Sequence, residues 1–286
     1  MTTHQQADPP PDRAEIGRYS ADVDAAAPQA ARRYDYWLGG KDNFTMDRQS
    51  GNEVRKAFPA IGHAVRENRR FMRRAVHYLA EDRGITQFLD IGVGMPMSPN
   101  VHEVAQAVHP ATRVVYVDHD PVVAVHARAL LTGTLPGVRV FVPGDLRRPA
   151  AILSSPVLRG TVDPDRPVAL LLIAVLHFVR DDDIAYAAVR ELATRLPSGS
   201  FVALSHVTFD PLPVAVAERL TAMSAPGAGH GPFRARTREQ VARFLDGLEV
   251  IEPGLVSTVE WYPERNPPAE ASVAEAVTYS AVAMIP

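Results

Sequence analysis

The chain has 286 residues, with 30 Lys+Arg against 33 Asp+Glu, a formal net charge of −3 and 46% hydrophobic residues. That suits one large domain, or one domain with an appended helical segment, and supplies enough apolar side chains for a core. With no cysteine in the sequence, a disulfide framework, Cys-ligated zinc or iron–sulfur sites and a cysteine nucleophile are excluded, and no uninterrupted apolar run of about 18 residues marks a membrane span.

Residues 1–27 are rich in Pro, Asp, Ala and Gln without apolar periodicity and read as a flexible tail. They lack both the basic start and the apolar stretch of a secretory signal, so a soluble, cytoplasmic protein is the default expectation. A first helix is expected from Pro28 to Leu38, where Gly39 and Gly40 stop it, and a second from Thr45 to Ala57. In a third, Ile61, Val65, Asn68, Met72, Ala75, Val76 and Leu79 recur at three- and four-residue steps up to Gly84. Its other positions carry Arg66, Arg69, Arg70, Arg73 and Arg74, read as a solvated face in preference to a phosphate-binding stripe. Residues 28–84 thus form an N-terminal helical segment, expected to act as a lid, ahead of a sheet domain spanning 85–286.

From Gln87 onward short apolar strands alternate with helices, the pattern of a parallel sheet. Strands are expected at 87–91, 113–117, 138–142, 168–174 and 200–207, with helices at 99–108 and 121–131. Asp120-Pro121 is a helix start, and the acidic triplet Asp181-Asp182-Asp183 opens a helix to Leu196. A Pro-interrupted connection follows the third strand. Further helices are expected at 213–223 and after the capping box Thr237-x-x-Gln240, as far as Leu245. Two last strands, near 248–260 and 274–284, have no helix between them and so pair antiparallel.

Chemistry concentrates where strands end. In FLDIGVGMP (88–96) a buried strand ends in Asp90, and Gly92 and Gly94 turn the chain without a Cβ in the way of a ligand. A dinucleotide fingerprint needs a third glycine where Met97 stands, and a carboxylate at the strand's end suits a cationic ligand better than a pyrophosphate. Asp118, ending the second strand, can accept both hydroxyls of a ribose, and Asp145, in VPGDL, can reach the exocyclic amine of an adenine. Each could also be turn chemistry. Three acids at the ends of adjacent strands form a constellation.

Together these features resemble the class I S-adenosylmethionine-dependent methyltransferases. The resemblance implies a Rossmann-like α/β fold, a seven-stranded methyltransferase sheet with five parallel strands and a C-terminal antiparallel hairpin, and S-adenosyl-L-methionine as cofactor. It puts Asp90 near the methionine end, Asp118 on ribose and Asp145, followed by Leu146, at adenine. His119 falls where such enzymes pack a side chain against adenine, and the main chain at Ala174 and Val175 lines the methionine part. A narrower likeness covers nearly the whole chain: ARRYDYWLGGKDNFTMDR (31–48), HEVAQ (102–106), VVYVDHDPVV (114–123) and AVLHFVRDDD (174–183) look like an actinobacterial methyltransferase family long known as a domain of unknown function. Its turn, usually GTGLPT-like, is GVGMPM here.

The segment LGGKDNF (38–44) reads either as a helix stop with polar turn residues or as a lid closing over a ligand. The resemblance favours a site role, with Tyr34, Lys41 and Asn43 on the lid or substrate side. His177 is a candidate general base on an acceptor O–H or N–H, and equally a packed core histidine. HEVAQ lacks the second histidine of a zinc protease, no G-x-S-x-G or P-loop occurs, and the ten histidines lack ligand spacing, so no metal is expected. Only Lys41 and Lys56 among the basic residues are lysines, and with Pro at 25 residues the arginine excess reads as base composition. The expected reaction is methyl transfer to a small-molecule acceptor, with no nucleic-acid or membrane partner. The alternatives are a non-catalytic S-adenosylmethionine- or S-adenosylhomocysteine-binding regulatory protein, a nicotinamide-dependent oxidoreductase, opposed by Met97 and Asp90, and a nucleic-acid-modifying enzyme using the Arg-rich helix.

Overall fold

The computed structural model describes residues 27–130, 137–265 and 271–286. The expected tail, apart from Ala27, and residues 266–270 lie outside the described residues. Helix α1 (Ala30–Leu38) begins later than Pro28 suggests, because Gln29 is extended and donates its N–H to Asp47 Oδ1 (2.8 Å). It ends in the left-handed Gly39 (φ 86°), as the double glycine predicts. Helices α2 (Thr45–Ala57) and α3 (Ile61–Glu81) follow.

The sheet then builds in the expected rhythm: β1 (Gln87–Ile91), α4 (Val101–Val108), β2 (Arg113–Asp118), α5 (Pro121–Leu130) and β3 (Val138–Pro143). The Pro-interrupted connection holds two short helices, α6 (Pro149–Leu153) and α7 (Pro156–Thr161), each with proline in its first turn. β4 (Ala169–Ile173), a 3-10 turn (Leu176–Phe178), α8 (Asp182–Thr194) and β5 (Phe201–Val207) complete the parallel part. Asp181 caps α8 by accepting from the Ile184 N–H (3.0 Å). After α9 (Val214–Met223) and α10 (Arg238–Ala242) come β6 (Glu249–Val250), β7 (Val256–Ser257), α11 (Val273–Ala276) and β8 (Thr278–Met284).

The strand order is β3-β2-β1-β4-β5-β8-β6, with β7 also on β8. Strands β1 to β5 pair parallel, and β8 runs antiparallel to β5, β6 and β7. The fold class is the expected α/β sheet, with two differences in detail: a one-turn helix, α11, started by the Ser272 cap, stands before β8 where none is expected between the last two strands, and the strand before it is broken. The strand foreseen at 248–260 is two short pieces on the same edge of β8, because Pro253 cannot donate to a ladder and Gly254 turns the chain at φ 91°. From β1 the chain crosses to β2 and β3 on one side and reaches β4 and β5 on the other. The reversal between β1 and β4 opens a crevice at their C-terminal ends, where open α/β sheets bind ligands.

Alternate strand residues fill two cores. Leu89, Ile91, Val115, Val117, Leu170, Leu172, Val202 and Leu204 face α8 through Ala185, Ala188, Val189 and Leu192. Phe88, Val114, Tyr116, Leu171 and Ala203 face α3 through Phe71, Met72, Ala75, Val76 and Leu79. The arginines of α3 correct the reading of a solvated face. Arg74 is buried under the C-terminal segment, where its Nε donates to the Trp261 carbonyl (2.7 Å) and its Nη2 to that of Thr258. Arg70 pairs with Glu67 (2.8 Å), and Arg69 ties down the loop after β1. Arg73 alone of the five is exposed.

Candidate active site

The crevice is shaped by two turns that press together. Gly92 (φ +79°) follows β1, and a Cβ there would stand 2.3 Å from Val175 Cγ2, just beyond β4. Glycine is therefore required for packing one turn on the other as well as for the backbone angle. Gly94 (φ +66°) directs its N–H to Asp118 Oδ2 (2.9 Å), while Asp118 Oδ1 accepts from Asp120 N (3.0 Å). Two backbone donors thus fix the Asp118 carboxylate against the glycine turn.

A cavity of about 200 Å³ opens above these turns. Asp90, Gly92, Gly94, Asp118, His119, Asp145, Leu146, Ala174 and Val175 all line it, and Tyr34 joins them from α1. Its roof is α1, through Ala30, Ala31, Asp35 and Leu38, and α3, through Asn68, Arg69 and Met72. His119 lies at the rim, its side chain 66% exposed. Arg147 grips Asp145, its Nη2 donating to Oδ2 (2.6 Å) and its backbone N–H to Oδ1 (2.9 Å), and so holds that carboxyl below its ordinary range despite partial burial.

Asp90 is the electrostatic centre. It is 7% exposed, and no described residue hydrogen-bonds its carboxyl. Burial pushes its pKa up to about 7; Arg69 opposes the rise and Asp118 adds to it. Burial also raises Asp118, against the donors from Asp120 and Gly94. The nearby Arg69 donates through Nη2 to the carbonyls of Met97 (2.5 Å) and Pro99 (2.7 Å). This end of the cavity is dominated by the acceptors Asp90 and Asp118. It fits a ligand bearing an ammonium or sulfonium charge and vicinal hydroxyls, as S-adenosylmethionine does, whereas a pyrophosphate would meet two acids.

A second cavity, of about 110 Å³, shares Ala30, Tyr34, Asn68, Ala174 and Phe178 with the first. It is mostly apolar and aromatic, walled by Trp37, Phe58, Phe178, Phe209 and Phe233. His177 lines this cavity and not the first. Its ring lies 4.3 Å from that of Phe178 and 5.1 Å from that of Phe233, and its buried Nδ1 has no partner. Burial, aided by His206, Arg236 and Arg33, drives its pKa well below the ordinary histidine value, so the ring is neutral at pH 7.

The wall between the cavities rests on residues that sequence reasoning passed over. Ala174 is left-handed (φ 54°) and donates its N–H to Ser205 Oγ (2.9 Å). Ser205 in turn donates to Asn68 Oδ1 (2.5 Å), Asn68 Nδ2 to Tyr34 OH (2.9 Å), and Tyr34 OH to the Val65 carbonyl (3.1 Å). This relay joins β4 and β5 to the roof helices. Asn68 is the one amide in the otherwise apolar row of α3, and that exception is the signal the sequence carries.

The LGGKDNF turn is organised around Asp35, another residue not singled out. Asp35 Oδ2 accepts from Asn43 Nδ2 (2.8 Å) and the Asp42 N–H (3.0 Å), and a Cβ on Gly40 would lie 1.9 Å from Oδ1. Asp35 lines the first cavity, so the turn shapes its roof from behind. Asn43 is buried in this cage, whereas Lys41 is exposed and lines neither cavity.

Comparison with known proteins points in one direction. Residues 17–286 match the family described as S-adenosyl methyltransferase. The chain is similar to a DUF574-family protein from Streptomyces avermitilis, with 42% identity, a TM-score of 0.85, and coverage of 92% of this chain and 99% of that one. It is also similar to a proposed methyltransferase from Thermobifida fusca, with 35% identity, a TM-score of 0.83, and coverage of 91% and 96%. The fold extends to a magnesium protoporphyrin IX methyltransferase from Synechocystis with bound S-adenosylhomocysteine, at 14% identity and a TM-score of 0.53 over 96% of this chain and 100% of that one. No curated protein matches the chain.

Proposed function

The chain belongs to the S-adenosyl methyltransferase family, and we propose that it transfers a methyl group to a small molecule held in the aromatic cavity beside its cofactor site. S-adenosylmethionine supplies a methyl group already activated on a sulfonium, which leaves the protein with binding, alignment, exclusion of water and removal of a proton. The observation that carries the reading is the wall common to both cavities, at Ala174, Asn68 and Tyr34.

In this reading the Asp90 carboxylate takes the cofactor's ammonium group and Asp118, fixed by its two backbone donors, takes the ribose hydroxyls. Asp145 receives the adenine amine alongside Arg147, with His119 and Leu146 flanking the ring. The main chain at Gly92, Gly94, Ala174 and Val175 borders the methionine portion. Residues 28–84 roof the site as a lid over the 85–286 domain. His177, neutral and with a free Nδ1, takes the proton from an acceptor O–H or N–H.

The test pairs calorimetry of S-adenosylmethionine with a screen of single-ring phenols and amines, read by release of S-adenosylhomocysteine. His177→Ala should lower kcat about 100-fold or more, the range of a general base, and leave cofactor affinity within about twofold. Equal losses in cofactor affinity and kcat would sink the division of labour between the cavities. Tight cofactor binding without turnover of any acceptor would sink the reaction.

A further inference from the structure

The second cavity is lined by one buried positive charge to which no described carboxylate is hydrogen-bonded. Arg33 lines it and is 5% exposed. Its Nη1 donates to Ser50 Oγ (3.0 Å) and to the His230 carbonyl (2.6 Å), both neutral acceptors. Its Nε is buried without an acceptor, and no described residue accepts from Nη2. Nε–H and Nη2–H form the side-on edge of a guanidinium, which receives a carboxylate through two parallel hydrogen bonds.

The adjacent Asp47 is engaged elsewhere: Arg32 Nε donates to its Oδ2 at 2.8 Å, and the backbone of Gln29 and Phe44 also donates to it. No Asp or Glu lines the cavity among the described residues. Burial lowers the Arg33 pKa only to about 10, so it remains a cation at pH 7. The Asp47 charge supports Arg33 only through space; a buried guanidinium with no carboxylate bonded to it is expensive, and beside a cavity it favours an ion of opposite sign.

Shape narrows the class. A cavity of about 150 Å³ holds one benzene ring, so this one, of about 110 Å³ and faced by the aromatic rings of Trp37, Phe178 and Phe233, admits no more than a single ring. Arg33 sits over the Trp37 ring, 5.6 Å from its centroid, at the same wall. Ala174 belongs to the wall shared with the cofactor cavity, and His177, three residues on, lines the same acceptor cavity, where the reacting atom would be.

We infer that the methyl acceptor is a single-ring aromatic carboxylate, its carboxylate bound by the side-on edge of Arg33 and its hydroxyl or amino group turned toward His177. The inference rests on the methyl-transfer reading above and adds the acceptor's chemical class. A bound carboxylate would also neutralise one of the charges that depress His177, so the acceptor itself would strengthen the base that deprotonates it.

Calorimetry on the full chain saturated with S-adenosylhomocysteine tests this with 4-hydroxybenzoate, 4-hydroxybenzamide and hexanoate. 4-Hydroxybenzoate should bind at least tenfold more tightly than either other probe. Arg33→Gln should bring benzoate and benzamide within threefold of each other and leave S-adenosylhomocysteine affinity within twofold. Where Arg33→Gln fails to fold, Arg33→Lys, which keeps the charge and loses the fork, should shrink the preference at least threefold. Equal binding of benzoate and benzamide by the wild type, binding of no probe, or a preference that survives the substitutions would overturn the inference and leave the cofactor reading standing. Failure of the wild type to bind S-adenosylhomocysteine would overturn that reading itself.

Discussion

Replacing Asp90 by asparagine should stabilise the ligand-free protein at pH 8 while weakening its hold on the cofactor. In the folded chain the Asp90 carboxyl titrates at about 7, against an ordinary value of 3.8. Between those values the folded state retains a proton that the unfolded state has released, so stability falls as pH rises from about 4 to 7 and is then flat. At 1.36 kcal/mol per unit the full loss is on the order of 4 kcal/mol. Asparagine keeps the shape and removes the titration. The stability difference between variant and wild type should therefore be larger at pH 8 than at pH 4 by up to ~4 kcal/mol, and any fixed cost of burying the amide cancels in that comparison. For a chain of this size that is up to ~8 °C in Tm, measurable by scanning calorimetry. S-adenosylhomocysteine should bind the wild type more tightly as pH rises through 7, because its ammonium group needs the ionised carboxylate, and should bind the variant about 10- to 100-fold more weakly and without that pH dependence. A difference between variant and wild type that is the same at both pH values, or a variant with unaltered affinity, would refute the electrostatic argument.

Two further expectations follow from neighbouring residues. Asp118→Ala removes the carboxylate proposed to take the ribose hydroxyls and also frees the Gly94 and Asp120 N–H groups, so S-adenosylhomocysteine affinity should fall by ~100-fold or more in calorimetry. In the signature turn, Asn43→Ala withdraws a buried donor from Asp35 and should cost about 1–3 kcal/mol in denaturant unfolding, whereas Lys41→Ala, at an exposed position, should leave both stability and cofactor affinity unchanged.

What could be read from the sequence was whatever local periodicity encodes. Strands such as β4, apolar at every position because both faces are covered, and helix starts such as Asp181 and Thr237 announce themselves within a few residues. The acids at the strand ends were legible for the same reason, since a strand's end and a glycine turn are local features. Partners distant in sequence were not. Nothing near Arg74 indicates that Trp261 and Thr258 will cover it, and nothing near Asp35 shows that its own turn will fold back onto it. The second cavity escaped because its lining comes from α1, α2, α3, the ends of β4 and β5, α9, the start of β8 and the segment carrying His230 and Phe233, so it exists only after these elements dock. The interrupted strand before β8 was overlooked for a simpler cause: β-rich composition outweighed one Pro-Gly pair.

Helix α1 has a consequence for how two ligands affect one another. Ala30 and Tyr34 are walls of both cavities, and the Tyr34 hydroxyl is anchored to α3 through Asn68 and Val65. Whatever seating of α1 one ligand brings about, the other finds already done. The two binding equilibria are then joined by a coupling free energy, and reciprocity requires that each ligand alter the other's dissociation constant by the same factor. On the proposed function, the helix shared by the two cavities therefore couples cofactor and acceptor as one thermodynamic unit.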